Sequence, residues 1–445
     1  MSPTAPASTV PPPARARRAA ALLLTLLAGP VAAQLGLPSL PGPPPLPGQV
    51  IDTATQAVAG TQDRLLAPLV GARAAAARAL IRQHRALIEA DPDGAPIVRA
   101  ELLAFGPEAA ALGAATAAGF EIVRRQALAG LEGELLTLRG PAGLSTARSL
   151  ARLRHIDPAG DYDYNHIYLP SAASEEAAPL APGAAPPDAT PPGAPSAGAG
   201  IGMIDSGVDP THPALALSHV EQSGCDGHAV PAAHGTAVAS LIAGSAASFR
   251  GALPGARLIA FDVYCGEVTG GSTDRVVLAF ATLTRGGVAV INVSLVGPRN
   301  TALARVVAAV QARGVLVVAA VGNDGPAAPP LYPAALPGVI AVTAVDTRAH
   351  VLPEAGRGPH VVFAAPGAGL RAADLQHGYT TVRGTSYAAP IVAGLLAGLF
   401  RAEPDGAAHA RQALILTARD LGPRGRDEIY GYGVVGESLR STGPP

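Results

Sequence analysis

The hydrophobic pattern after residue 200 alternates short apolar runs with segments of helical periodicity. The apolar runs, each long enough for one buried strand, are IGMI, LIAFDV, VAVINV, VLVVAA, VIAVTAV and VVFAA. Near-continuous apolar strands are typical of parallel sheets that helices cover on both faces. Helices are predicted at about 235–246, 273–285, 301–313, 386–402 and 406–418. The alternation predicts an α/β fold over residues 200–445, a three-layer sandwich with a mostly parallel sheet.

A second, smaller domain is predicted over residues 96–170. Its strand and helix patterns follow in the order βαββαβ, as IVRAELLAF, PEAAALGAATAAG, FEIVRRQ, GELLTLRG, LSTARSLARLR and YDYNHIY, with Ser145 near the cap of the second helix. That order indicates a small α+β domain of ferredoxin-like type. Residues 171–199 follow; they are rich in Pro, Ala and Gly and lack periodicity, which predicts an extended, protease-accessible linker.

The N-terminal part is predicted to direct export. Three arginines precede the short apolar stretch AAALLLTLLAG, and small residues follow it before Gln34. This pattern indicates a secretory signal peptide over residues 1–33. About eleven apolar residues are too few to span a bilayer, so no stable membrane insertion is expected. Residues 34–95 combine a Pro-rich spacer with helical periodicity at 53–89. We therefore expect an exported protein, periplasmic or extracellular.

The composition excludes several kinds of chemistry. The chain carries a formal net charge of −1, and all 32 of its basic residues are arginine. Without lysine there is no Walker-A lysine, no Schiff base and no lysine general base. The arginines are scattered, so no nucleic-acid partner is expected. The two cysteines, Cys225 and Cys265, could pair in an oxidising compartment; the alternative is two unpaired buried thiols.

Four polar residues lie where a predicted strand ends or a helix begins. Asp205 follows the run IGMI, and Asn323 follows VLVVAA. His234 precedes Gly-Thr at a helix start, and Ser386 follows Gly-Thr at another. Asp205 alone would more often be structural, since Asp-Ser-Gly is a common turn. A lone histidine is also more often structural, but the Gly-Thr-Ala-Val-Ala sequence after His234 disfavours that interpretation. Together a hydroxyl, an imidazole, a carboxylate and a carboxamide could supply the nucleophile, base, orienting acid and oxyanion donor of acyl transfer.

Two other interpretations of these segments fail on spacing. The stretch GAGIGMID lacks the glycine spacing of a dinucleotide-binding turn and follows a linker rather than a strand. An α/β-hydrolase is excluded because Ser386 lacks the G-x-S-x-G turn and the acid precedes the histidine. Acyl transfer therefore remains the chemistry that the motifs favour.

The motifs around these residues resemble those of the subtilisin-like serine proteases (subtilases, peptidase family S8). The resemblance rests on DSGVDPTHPAL, HGTAVASLIAG, VINVSLVGP, VGNDG, YPAALPGVIAVTAVD, FAAPG and GTSYAAP, and it covers nearly all of residues 200–435. It implies that Ser386 is the nucleophile and His234 the general base, then acid. It also implies that Asp205 orients the imidazole and that Asn323 donates to the oxyanion. His212 also lies in a motif and is interpreted as structural.

The resemblance extends to the substrate groove and to biosynthesis. The groove residues that it implies are Ser294, Leu295, Val296, Gly297, Ala320, Val321, Gly322 and Leu331. Leu331 stands where the family commonly has glycine on the floor of the S1 pocket, so a small P1 residue is expected. The domain at 96–170 corresponds to a prodomain that inhibits the enzyme and is cut away by it, between about 169 and 199. No cofactor is expected, and calcium-binding loops are not recognisable.

Protein or peptide substrates and the chain's own prodomain are the partners that this interpretation implies. Two alternatives remain. The same site could ligate or cyclise peptides when an amine replaces water, and the sequence does not separate these outcomes. An inactive binding protein of the same fold is disfavoured because all four chemical groups are present. The sequence thus predicts an exported serine endopeptidase made as a zymogen.

Overall fold

The computed structural model describes residues 71–171, 200–228, 230–246, 249–401, 403 and 405–439. The predicted signal peptide, most of the spacer and the linker after Ser171 lie outside the described residues. The described residues all belong to one compact unit of the chain. Within the described residues, no helix is both long and apolar enough to cross a membrane.

The upstream elements form a five-stranded antiparallel sheet with helices. They are α1 (Ala72–Gln83), β1 (Ile88–Ala90), β2 (Pro96–Phe105), α2 (Ala109–Ala117), β3 (Glu121–Ala127), β4 (Glu134–Arg139), α3 (Thr146–Ile156) and β5 (Asp161–His166). The order is β1-β2-β4-β3, with β5 paired to β2. Ser145 caps α3 by accepting from the Arg148 amide. Strand β1 lies partly within the predicted helical segment 53–89, because fully buried Ile88 pairs with β2 instead.

A seven-stranded sheet forms the centre of the downstream part. Its strands, in spatial order, are β16 (Val361–Pro366), β15 (Ile340–Val345), β14 (Leu316–Ala320), β12 (Val288–Val293), β7 (Gly200–Asp205), β11 (Arg257–Asp262) and β8 (His219–Gly224). All neighbouring strands are parallel. In each strand, successive side chains point to opposite faces of the sheet. Helices cover each of these faces.

Helices cover both faces of this sheet. On one face lie α4 (Ala233–Ala243), α7 (Thr385–Leu399) and α8 (Gly406–Thr417), whose buried residues join one core cluster. On the other lie α5 (Thr273–Arg285) and α6 (Thr301–Ala312), which form the second cluster. The predicted α/β fold with a mostly parallel sheet is thus confirmed.

Short strands complete the described elements. They are β6 (Leu169–Pro170), β9 (Ser245–Ala246), β10 (Phe249–Arg250), β13 (Leu295–Val296), β17 (Ala368–Ala373) and β18 (Tyr379–Arg383). Strands β17 and β18 form an antiparallel hairpin that leads into α7 through Gly384. Gly384 has a φ of 138°, a value that side-chain-bearing residues rarely adopt, so this junction requires glycine.

Strand β5 packs the upstream sheet on the N-termini of α5 and α6. The Asp163 carboxylate accepts from the Thr301 amide at 2.7 Å, and Asn165 Oδ1 accepts from the Asp274 amide at 3.2 Å. Helix N-termini carry unpaired amide donors and a partial positive charge, so both contacts are favourable. This docking directs the chain after β5 toward the carboxyl edge of the parallel sheet.

Candidate active site

The four candidate residues lie at the carboxyl edge of the sheet. Asp205 ends β7, and Asn323 follows β14. His234 and Ser386 are the second residues of α4 and α7. In open α/β sheets, ligands bind at this edge because strand ends and helix N-termini meet there. The fold therefore brings together side chains that are far apart in sequence.

Asp205 and His234 are joined by a hydrogen bond of 2.7 Å between Oδ1 and Nδ1. The same carboxylate oxygen accepts from the Ser206 amide at 2.7 Å. Asp205 is buried, and burial strengthens its hold on the imidazole. Gly235 permits this approach, because an added Cβ would lie 2.2 Å from the Ser206 carbonyl oxygen. With Nδ1–H directed to the carboxylate, Nε2 is left as the acceptor.

Ser386, the second residue of α7, is buried, and hydrogen bonds hold its backbone carbonyl. Its carbonyl accepts from Ser294 Oγ at 3.0 Å, and Asn292 Nδ2 donates to that Oγ at 2.9 Å. Ser386 Oγ and His234 Nε2 are both buried and have no hydrogen-bond partner among the described residues. The hydrogen bond expected between them is therefore not formed.

The oxygen and the nitrogen of the Asn323 carboxamide both form hydrogen bonds. Its Oδ1 accepts from the Thr385 amide at 3.1 Å. Its Nδ2 donates to the carbonyl oxygen of Ser171. Next to it, the Gly322 amide donates to Thr385 Oγ1 at 3.2 Å. The carboxamide nitrogen thus points to a peptide carbonyl.

That carbonyl belongs to a segment that lies in a groove as an added strand. Strand β6 pairs antiparallel with β13, with Pro170 opposite Leu295 and Leu169 opposite Val296. The Ser171 amide donates to the Ser294 carbonyl at 3.2 Å. Three predicted groove residues therefore contact one extended segment. Its carbonyl end lies at Asn323.

The remaining predicted groove residues line the end of β14 and the loop beside it. Ala320 and Val321 are buried there, and Gly297 exchanges backbone hydrogen bonds of 3.0 Å with Tyr332. Leu331 is buried against Gly322, whose added Cβ would lie 2.5 Å from Leu331 Cδ1. The Leu331 side chain thus fills space beside the loop that carries Asn323.

Sequence reasoning missed the opposite wall of the groove. The Tyr168 amide donates to the Gly271 carbonyl at 2.8 Å, and Tyr264 Oη donates to the Tyr168 carbonyl at 3.2 Å. A backbone bridge joins Ile167 to Ser272. The paired glycines at 270–271 mark this loop, but nothing local in the sequence indicates what it contacts. The segment 167–171 therefore lies between two walls.

The model of the subtilase family matches residues 196–433, just over half of the chain. The chain belongs to the subtilase family. Subtilisin DY of Bacillus licheniformis is 33% identical over 248 residues, which are 53% of this chain and 88% of that protein. Subtilisin Savinase of Lederbergia lenta is 33% identical over 259 residues, 56% of this chain and 93% of that protein. This subtilase is therefore a serine-type endopeptidase, a hydrolase that acts on peptide bonds.

A solved structure supports the fold. The crystal structure of fervidolysin from Fervidobacterium pennivorans, a keratinolytic enzyme related to subtilisin, matches with a TM-score of 0.62 at 20% identity. The match covers 78% of this subtilase and 61% of that chain. At this identity the likeness shows the fold alone.

Burial shapes the electrostatics around Asp205. It raises the pKa of Asp262, which pairs with Asp205 across neighbouring strands, and the Asp205 charge raises it further. Burial and the same charge also raise the pKa of Tyr387, whose ring centroid lies 5.4 Å from that of His234. Tyr387 therefore keeps its proton and packs beside the imidazole as a neutral ring.

One group of possible metal ligands occurs among the described residues of the subtilase. It comprises Cys225, Asp262 and Cys265. The two cysteines form a disulfide with a Cα–Cα distance of 5.2 Å. A sulfur held in a disulfide is not the thiolate that binds metals.

His212 is held by ordinary hydrogen bonds, with Nε2 2.9 Å from the Gly378 carbonyl and Nδ1 accepting from the Ala214 amide.

Proposed function

We propose that this subtilase is an exported serine endopeptidase made as a self-processing proenzyme. In this proposal Ser386 is the nucleophile and His234 the base. The observation that carries the proposal is the Ser171 carbonyl, which ends an extended segment in the groove and accepts from Asn323 Nδ2. A peptide bond held in this way is positioned as a substrate.

The chemistry follows from the roles of these groups. Ser386 Oγ attacks the carbonyl carbon and its proton passes to His234 Nε2, which Asp205 keeps in the required tautomer. Asn323 Nδ2, together with the Ser386 amide, stabilises the resulting oxyanion. The carbon–nitrogen bond then breaks, and the imidazolium returns its proton to the departing amine. Water, deprotonated by the same histidine, hydrolyses the acyl-enzyme and restores the hydroxyl.

The first substrate is the chain itself, cut between Ser171 and Ala172. Ser171 carries the carbonyl at Asn323, so the next peptide bond is the one presented to Ser386. This position lies within the interval of 169 to 199 predicted from the sequence. Residues 96–170 then act as a prodomain, since β5 stays docked on the catalytic part and β6 stays in the groove. The product segment thereby blocks the site until it is released.

Export is supported by two features of different kinds. The N-terminal pattern of arginines, a short apolar stretch and small residues is that of a secretory signal. The disulfide between Cys225 and Cys265 is a bond that persists in oxidising compartments. Both favour a periplasmic or extracellular enzyme.

The test is to purify the full chain, label it with a serine-directed fluorophosphonate, and determine the modified residue and the new N-terminus. We expect the label on Ser386 and a fragment that begins at Ala172. Ser386→Ala should give an intact, unlabelled precursor. The matched control is Ser218→Ala, because Ser218 lies outside the groove and donates to the Ala243 carbonyl. Processing of the Ser386→Ala precursor at the same bond would refute self-cleavage.

A further inference from the structure

Asp262 is a second buried carboxylate beside Asp205. The two residues end the neighbouring strands β11 and β7 and lie opposite each other in the parallel pairing. Asp262 is 5% exposed, and no arginine or histidine of the described residues forms an ion pair with it. A buried charge without a counter-ion is costly. A role in the catalytic site would account for a carboxylate at this position.

Both carboxylates face the side of the sheet that α4 covers. Met203 and Ala260, each two residues before the end of its strand, belong to the core cluster that also contains the buried residues of α4. Residues two apart on a strand share a face, so Asp205 and Asp262 point the same way. That side carries His234, whose Nδ1 lies 2.7 Å from Asp205 Oδ1. The imidazole is therefore separated from Asp262 by one hydrogen bond and one strand spacing.

Backbone amides hold Asp262 in its charged form. The Tyr264 and Cys265 amides donate to Oδ1 at 2.8 and 2.9 Å. Gly207, in the turn that follows Asp205, lies so close that an added Cβ would be 3.0 Å from Oδ2, and its amide also favours the charge. Burial raises the pKa of Asp262, and the Asp205 charge raises it further, whereas these amides lower it. All of these groups belong to the catalytic part, so they remain when the upstream segment leaves.

The other titratable groups around the two carboxylates are neutral or exposed. Burial raises the pKa of Tyr264 and of Tyr387 above the ordinary value, so both phenols keep their protons. Solvent screens the charged or titratable side chains of the adjacent loops, which are exposed: Asp226, His228 and Glu267. Asp262 is thus the buried charge that adds to that of Asp205.

We propose that Asp262 is a positioning residue of the catalytic site, whose charge acts with that of Asp205 to stabilise the imidazolium that His234 becomes during acyl transfer. Asp262 makes no bond to substrate and exchanges no proton in this role. Two charges interact more strongly across a buried site than across water, so a second carboxylate lowers the free energy of the cation. The inference rests on the proposed function, because it takes His234 as the base.

The experiment measures kcat/KM against pH, from about pH 5 to 9, for the wild type and Asp262→Asn after self-processing of the full chain. The substrate is the peptide YLPSAA, residues 168–173, with a fluorophore and quencher at its ends. We expect Asp262→Asn to move the midpoint of the acid limb down by about half to one pH unit. The plateau should fall by about three- to tenfold, because the same lost free energy makes the base weaker. The two profiles should then coincide at the acid end and separate as pH rises.

A purely structural defect would give a different profile. It would lower the plateau and leave the midpoint where it is, and that result would overturn the inference. The matched control is Asp226→Asn, which removes the same charge from an exposed position and should change neither the midpoint nor the plateau. An equal shift in Asp226→Asn would show that any nearby carboxylate has this effect, which would also overturn the inference.

A second variant guards against misfolding. Asp262→Ser removes the charge but keeps an oxygen that can accept from an amide, and it should shift the midpoint in the same direction. Fluorophosphonate labelling of Ser386 shows that each variant is folded; if neither can be labelled, Asp262 is required for folding and the inference is wrong. If the wild-type enzyme is not labelled and does not cleave the peptide, the proposed function itself fails. An active wild type whose profile Asp262→Asn does not move overturns only this inference.

Discussion

At the scale of single residues, Asn323 shows how the fold aims a functional group. The Thr385 amide holds its Oδ1, so the carboxamide cannot rotate freely and its nitrogen faces the peptide carbonyl. A donor fixed before the reaction stabilises an oxyanion without reorganisation. The helix N-terminus that carries Ser386 thus also orients the carboxamide that we propose as the oxyanion donor.

Removing this donor should slow turnover with little effect on binding. We expect Asn323→Ala to lower kcat by about two to three orders of magnitude, the loss found in subtilisin when one oxyanion donor is removed. KM should change little, since the donor acts on charge that develops in the transition state. Steady-state kinetics on one peptide measures both constants. The neighbouring Asp324→Asn serves as the control, and a loss of less than tenfold in Asn323→Ala would contradict the assignment.

The side chain of Leu331 should restrict the residue whose carbonyl is attacked. Leu331 packs against Gly322, beside Asn323. In the precursor, the residue whose carbonyl accepts from Asn323 is Ser171, which is small. We expect kcat/KM to be higher for alanine than for phenylalanine at this substrate position. Leu331→Gly should raise the value for phenylalanine by about tenfold, because one or two buried methylenes change discrimination by this order. A wild-type preference for phenylalanine would rule the interpretation out.

The four candidate residues could be predicted from sequence because each lies beside a strand or helix with a clear pattern. Asp205 and Asn323 follow apolar runs, and His234 and Ser386 precede helices rich in small or apolar residues. Tyr264 and Gly271 could not be predicted as groove residues. Their contacts with Tyr168 depend on how two loops and a distant segment meet, which no local pattern records.

At the scale of elements, the hydrophobic pattern predicts the central strands but misses edge strands. Strands β12 and β14 are buried on both faces, so nearly every residue is apolar and the sequence pattern is unambiguous. Strand β8 pairs only with β11 at the sheet edge, and its sequence HVEQSG is polar and half-buried. An edge strand needs no continuous apolar run, so hydrophobic pattern alone misses it. Strand β1 is only three residues long, too short to give a recognisable strand pattern.

Strand β5 links the upstream domain to α6 through a chain of polar contacts. His166 Nε2 lies 3.1 Å from Asp91 Oδ2, and Asn300 Nδ2 lies 3.0 Å from His166 Nδ1. Asn300 Oδ1 accepts from the Leu303 amide in α6, so its nitrogen is the donor to His166. Asp91 therefore accepts from His166 Nε2–H at the end of this chain.

These polar contacts should make the stability of the precursor depend on pH in the acidic range. Burial alone raises the pKa of Asp91, but hydrogen bonds from His166 and from the Ala95 and Asp93 amides bring it below its ordinary value of 3.8. A carboxyl whose pKa is lowered on folding stabilises the folded state above the unfolded pKa. That contribution is lost as pH falls through the folded pKa. The loss should begin near pH 4 and continue below it.

We expect the Ser386→Ala precursor to melt at a higher temperature than the same precursor with Asp91→Asn at pH 5. The difference between the two should shrink toward pH 3, since asparagine does not titrate. Calorimetry or circular dichroism at half-unit intervals of pH measures it. A difference that stays constant from pH 5 to pH 3 would contradict the role of Asp91.

At the scale of the whole molecule, the upstream segment contacts the catalytic part at several places, and three of them lie at the carboxyl edge of the parallel sheet. Strand β5 docks on the N-termini of α5 and α6, and β6 lies in the groove. The third place is α1, which precedes the βαββαβ order. Its Arg73 donates to Asp324, the residue after Asn323, with Nε at 2.8 Å and Nη2 at 2.5 Å. The upstream segment therefore contacts the loop that carries Asn323, the proposed oxyanion donor, as well as the groove.

The contact of α1 should delay the appearance of activity after self-cleavage. The Arg73–Asp324 pair is partly buried, so its loss should weaken retention of the fragment by about 1 kcal/mol, roughly fivefold. Arg73→Ala should therefore shorten the lag before the full-length chain hydrolyses a peptide. Arg78→Ala on the same helix, an exposed arginine, is the matched control. High salt should shorten the lag of the wild-type chain but not of Arg73→Ala, because salt screens the ion pair. Equal lags for the two arginine variants would show that α1 does not restrain the enzyme.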